Sequence, residues 1–137
     1  MAEQGDGRKR IAVVNDDTAF LDLMYDLLED LEGYEVLICR ESDQVYGFVK
    51  REQPDLVILD IVMGREEAGW RVLNLLTLDP ATRPIPVLVC SAAVQSLREH
   101  DETLHSMGIE TIPKPFDLDA LLAAIERTLA RHSPGNG

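Results

Sequence analysis

Cysteine is scarce in this chain: Cys39 and Cys90 are the only two, far apart and in no metal-binding spacing. That excludes a disulfide framework and a zinc cluster, and both are expected to be small buried hydrophobes in a reducing compartment. Long apolar runs are also missing, and the opening Met1–Arg10 has no hydrophobic signal region. A soluble, cytoplasmic protein with no membrane insertion is therefore expected. Positive charge is short: 13 Lys and Arg face 25 Asp and Glu, a net charge of -12. Such a surface repels nucleic acid and anionic membranes. The three histidines (His100, His105 and His132) offer no metal pattern, since a spacing of five misaligns the first two on a helix; they are expected to be exposed.

What is present is apolar sequence in short, regularly interrupted pieces. At 45% hydrophobic content, 137 residues fill one core and not two. Ile11 to Val14 predicts a strand. A helix follows, with Phe20, Leu23, Met24, Leu27, Leu28 and Leu31 spaced by threes and fours and Gly33 as its stop. Glu35 to Cys39 is a second strand; Val45, Phe48 and Val49 mark a helix ending before Pro54. Leu56 to Asp60 is a third strand, an unbroken branched apolar run of the kind covered on both faces. Trp70, Val72, Leu73, Leu75 and Leu76 predict a third helix, with Trp70 read as core, and Pro86 to Cys90 a fourth strand. Val94, Leu97, Leu104 and Met107 predict one polar helix ending at Gly108. Glu110 to Pro113 is a fifth strand, and Leu118, Leu121, Leu122, Ile125 and Leu129 face a last helix, with Arg127, Arg131 and His132 suited to its C-terminal dipole.

Strict alternation of strand and helix predicts an α/β fold: a doubly wound, five-stranded parallel sheet with helices on both faces. In such folds sites lie at the carboxyl ends of strands. Four of the predicted strands end there on polar residues: Asn15, Asp16 and Asp17; Asp60; Ser91; Lys114. Singly, an Asp or Ser at a strand end is an ordinary helix cap, and Lys-Pro is commonplace. Together they converge on one crevice, where part of the negative charge gathers and a divalent cation would relieve its repulsion.

The chain resembles the receiver domain of bacterial two-component response regulators from about Arg10 to His132. The resemblance is carried by Val13-Val14-Asn15-Asp16-Asp17, Leu59-Asp60-Ile61-Val62-Met63, Ser91-Ala92 and Lys114-Pro115-Phe116, in that order. It implies a flavodoxin-like fold with strand order 2-1-3-4-5, flexible ends over 1–9 and 133–137, and a phosphorelay switch. By it Asp60 accepts a phosphoryl group from a sensor histidine kinase or histidine phosphotransfer protein. Asp16, Asp60 and the backbone carbonyl of Val62 hold Mg²⁺, with Asn15 or Asp17 acting through water. Ser91, Ala92 and Lys114 bind the phosphoryl oxygens; Lys114 precedes Pro115, where a cis bond is allowed. Ser91 and Thr111 carry the switch to the face formed by the fourth predicted helix, the fifth strand and the last helix, a surface for an effector or a homodimer.

Several positions depart from the family pattern. Asn15 stands where an acid is usual, which implies weaker Mg²⁺ binding. Met63-Gly64 replaces Met-Pro, and Gly64 to Gly69 is expected to be more mobile. Thr111 replaces an aromatic switch residue. Val62 and Ala93 cannot orient an attacking water, so slow loss of phosphate is expected. The chain ends after the last predicted helix, which suggests a stand-alone switch protein, not an enzyme. One rival is a phosphate-independent receiver-like scaffold. Another, an aspartyl-phosphate hydrolase, would carry a second Asp where Val62 stands.

Overall fold

A computed structural model describes residues 8–62, 68–92, 94–114 and 117–131. The expectations for Met63, Gly64, Ala93, Pro115, His132 and the two ends (1–7 and 133–137) lie outside them, as do those for the side chains of Leu31, Val94 and Arg131. The strands are β1 (Arg10–Val14), β2 (Glu35–Cys39), β3 (Leu56–Asp60), β4 (Val87–Ser91) and β5 (Glu110–Pro113). They form one parallel sheet ordered β2-β1-β3-β4-β5, the doubly wound order expected. The helices are α1 (Thr18–Tyr25), α2 (Val45–Glu52), α3 (Ala68–Leu78), α4 (Val94–Glu99), α5 (Asp101–Ser106) and α6 (Leu118–Arg131).

Side-chain alternation divides the core into two layers. Ala12, Val14, Val57, Leu59 and Val89 face α2, α3, α4 and α5 through Val49, Leu73, Leu76, Leu97 and Leu104. Ile11, Val13, Ile58, Leu88 and Cys90 face α1 and α6 through Leu21, Met24, Leu121 and Ile125. Because β3 and β4 are buried along their whole length, their carboxyl ends are fixed in space. Cys39 and Cys90 are free and buried, and burial pushes the Cys90 thiol up to about 12. Native protein at pH 8 is therefore expected to resist thiol labelling, with both cysteines reacting readily in denaturant. Rapid native labelling would contradict this packing.

Four expectations are corrected. Leu23 is 49% exposed, not on the buried face of the first helix, because Leu21, Met24 and Leu28 define that stripe and a wider π-helical turn, Asp26–Leu31, takes over after α1. The single helix after β4 is two, α4 and α5. His100 breaks it at φ -106 and ψ 9, and Asp101 and Glu102 then suit a new helix N-terminus. Leu118, at the start of α6, is 40% exposed, while Ala124 joins Leu121 and Ile125 in the core. Arg127 pairs across with Glu110 on β5, so its charge is engaged laterally. In addition β4 begins at Val87, the Pro86 carbonyl accepting from Val57 N–H.

Candidate functional site

Sheet register assembles the site as a staircase. Val14 pairs with Leu59, so Asn15 falls beside Asp60; Asp60 pairs with Cys90, so Ser91 lies one step on. Ser91 pairs with Pro113, and Lys114 N–H donates to the Ser91 carbonyl at 2.8 Å. Residues separated by up to about a hundred positions are thus brought together by backbone pairing alone.

Asp60 is the hub. It is 7% exposed, and both its oxygens are engaged. Oδ2 accepts from Lys114 Nζ at 2.9 Å and from Asn15 Nδ2 at 3.0 Å, while Oδ1 accepts from Val62 N–H at 3.0 Å. A carboxylate at a buried strand end is tolerable with this set of donors, two of them neutral and one cationic. Asn15 Oδ1 accepts from Asp17 N–H at 2.9 Å, which orients the amide so that its NH₂ faces Asp60. Asp17 caps α1, its Oδ1 accepting from Ala19 and Phe20 N–H. Asp16 lies between them with its side chain exposed.

The remaining expected residues are placed as follows. Ser91 is fully buried at the end of β4, and Ala92 beside it is exposed. Thr111 is half-buried on β5 and lies with Leu97, Arg98, Asp101 and Pro113 around a shallow depression. Asn15, expected with Asp17 as the alternative to reach the metal through water, is here a direct hydrogen-bond donor to Asp60. The sequence reading missed two residues. Phe20, assigned to the core stripe, has its ring 4.5 Å from Lys114 Nζ. Gly69 donates its N–H to the Ile61 carbonyl at 2.8 Å and packs on the Asp60–Ile61 backbone. An aromatic in the first turn after the acid cluster was the available signal for Phe20.

His105 is exposed as expected, but His100 is not: it stacks on Trp70 with ring centroids 4.0 Å apart. Trp70 Nε1–H donates to Ser96 Oγ at 2.9 Å, so this half-buried ring joins α3 to α4 as well as contacting the core. Among the described residues no three His, Cys, Asp or Glu side chains are grouped to hold a metal, and none of the helices is long and apolar enough to cross a membrane.

With this geometry in place, comparison with known proteins is specific. Residues 11–126 match the response regulator receiver domain family. The chain is 31% identical to the DNA-binding dual master transcriptional regulator RpaA of Synechocystis sp. PCC 6803, over 89% of this chain and 49% of that protein. It is 33% identical to response regulator MprA of Mycobacterium sp. KMS, over 93% of this chain and 54% of that protein. The chain thus spans about half the length of these relatives. Among solved structures, a CheY-like receiver domain protein from Methanospirillum hungatei superposes with a TM-score of 0.78 at 28% identity, covering 93% of this chain and 98% of that one. The chain belongs to the response regulator receiver domain family. That places it with the receiver domains of response regulators.

Proposed function

We infer that Asp60 is the phosphoacceptor of this receiver. A carboxylate oxygen of Asp60 attacks phosphorus of a phosphohistidine; the new P–O bond forms as the P–N bond breaks, and the electron pair leaves on the imidazole. The observation that carries this reading is the pairing of Asp60 with Lys114 at 2.9 Å, which sets a fixed cation where charge gathers on the transferring group. Lys114 then exchanges the carboxylate oxygen for a phosphoryl oxygen. Ser91 donates its hydroxyl to another and Ala92 lends backbone beside it. The resulting inward shift of the β4–α4 junction biases the α4–β5–α6 face, with Thr111 as a non-aromatic relay. The donor is a sensor histidine kinase or histidine phosphotransfer protein; the modified face meets an effector or a second copy. The protein acts as a switch that catalyses only its own phosphorylation and slow dephosphorylation.

Asp16, Asp60 and the Val62 backbone carbonyl would hold Mg²⁺: two carboxylates and a carbonyl are the hard oxygen donors this ion takes, and they would leave positions for water. When bound, the ion supplies charge neutralisation between Asp60 and the phosphoryl oxygens. Asn15 contributes an N–H donor to Asp60, not a third carboxylate. Asn15→Asp is therefore expected to tighten Mg²⁺ binding by about tenfold or more, since even at an effective dielectric near 20 an added charge at ~4 Å is worth several kcal/mol before solvent screening. Unchanged affinity in a magnesium titration would contradict it.

Incubation with Mg²⁺ and acetyl phosphate, followed by intact mass, tests the main reading. A gain of one phosphoryl group, absent after chelation, is expected. No gain from acetyl phosphate or from a phosphorylated histidine protein would favour a phosphate-independent scaffold.

A further inference from the structure

Lys114 is held from two sides. Its ammonium donates to Asp60 Oδ2 at 2.9 Å, and it also lies over the ring of Phe20, 4.5 Å from the centroid. We propose that Phe20 is a positioning residue for phosphoryl transfer: its ring is the seat from which the Lys114 ammonium passes from the Asp60 carboxylate to the oxygens of the incoming phosphoryl group. This rests on the reading of Asp60 as phosphoacceptor.

The face of an aromatic ring attracts a cation within about 6 Å of its centroid. It does so without the strong, directional hydrogen bond that an oxygen acceptor would impose. A carboxylate in the same place would pair with Lys114 and hold it away from the phosphoryl group. The ring is indifferent to which oxygen the ammonium faces, so it supports the lysine both before and after transfer. It also walls off water on its side, which strengthens the interaction on the other. A lysine stem is rich in rotamers, and the Lys114 side chain is 23% exposed, so without such a wall more of its population would turn to solvent.

The ring is delivered by the same residues that build the site. Asn15 touches Asp60 through Nδ2 and fixes Asp17 through Oδ1. Asp17 in turn accepts from the N–H groups of Ala19 and Phe20, and its carbonyl from Leu21 N–H at 3.0 Å. The first turn of α1 is thereby locked to the nucleophile, and Phe20 with it. At the opposite edge the Lys114 backbone is pinned to Ser91, so the ammonium reaches the ring from a fixed origin.

The test is a graded series at position 20: phenylalanine, monofluoro-, difluoro- and pentafluorophenylalanine, with Phe20→Tyr and Phe20→Leu. Fluorination drains the ring face with little change in shape. In saturating Mg²⁺ and limiting acetyl phosphate, the phosphorylation rate is expected to fall stepwise, reaching roughly two- to fivefold slower for pentafluorophenylalanine and Phe20→Leu. Phe20→Tyr should keep the parental rate, and the thermal midpoint should stay level across the fluorinated series; a rate that falls while the midpoint holds is what a packing role alone would not produce. Independently of transfer, the Lys114 ε-methylene protons should be shifted upfield by the ring current and lose that shift in Phe20→Leu. Rates that ignore fluorination, or an unshifted ε-methylene, overturn the proposal and leave the phosphoacceptor reading standing. If the parent protein takes up no phosphate while the ring-current shift is present, the phosphoacceptor reading fails, and the transfer role of Phe20 falls with it.

Discussion

Asp60→Asn is expected to take up no phosphoryl group from acetyl phosphate or from a phosphohistidine protein, while remaining folded. The substitution keeps the shape of the side chain and removes its nucleophilic, charged oxygens. An asparagine there can present its carbonyl to Asn15 and Lys114 or to Val62 N–H, but not to both sides. One side then faces a donor with a donor. Asn15, 2% exposed, has little water to turn to, so the conflict is expected to cost about 1–3 kcal/mol. That is smaller than the roughly 5–15 kcal/mol typical of a whole domain. Loss of uptake in a protein with an intact cooperative melt is thus chemical. Retained uptake at parental rate would place the acceptor elsewhere.

Gly69→Ala is expected to be the most destabilising single-methyl addition at a described glycine. An ideal Cβ at this position lies 2.4 Å from Ile61 Cα, 2.6 Å from the Asp60 carbonyl oxygen and 2.8 Å from the Ile61 carbonyl oxygen. All three are backbone atoms, and β3 is buried along its whole length, so the strand cannot yield toward solvent. The helix must move instead, breaking the Gly69 N–H bond to the Ile61 carbonyl. About 3 kcal/mol is expected, the upper end of ordinary overpacking, or about 10 °C in Tm for a chain of this size. Phosphorylation should slow as well, because α3 no longer packs against the Asp60–Ile61 backbone. By contrast a Cβ at Gly47 meets nothing within 4 Å, so Gly47→Ala serves as the control. Equal melts for the two variants would contradict the packing described.

The strands and the grouping of Asn15, Asp60, Ser91 and Lys114 were legible because they depend on patterns the chain writes locally. Glu35–Cys39 and Glu110–Pro113 were bounded by turn formers, and the apolar run ending at Asp60 left no other place for that carboxylate than a strand end. Parallel topology then forced Asp60, Ser91 and Lys114 to one end of the sheet. What escaped depends on contacts between distant segments. Periodicity put Leu23 in the core, but which of Leu21 and Leu23 is buried is decided by the helix's rotation on the sheet and by the wide turn after Tyr25. The break at His100 falls where its ring stacks on Trp70 from α3, a contact invisible at a separation of thirty residues. The missing charge at Asn15 was legible, but the direction in which its amide donates was not, since that is set by Asp17 N–H and Asp60. Phe20 packs against the core, as its place on the helical stripe predicts, but only the fold brings Lys114 over its face.

The most direct test of the account is to locate the phosphoryl group. The protein is treated with Mg²⁺ and acetyl phosphate, the acyl phosphate is reduced with borohydride, and the peptides are sequenced by mass spectrometry. Conversion of Asp60 alone to homoserine, blocked by chelating magnesium, is the predicted result. Conversion at Asp16 or Asp17, or none in a protein that has gained phosphate, would contradict it.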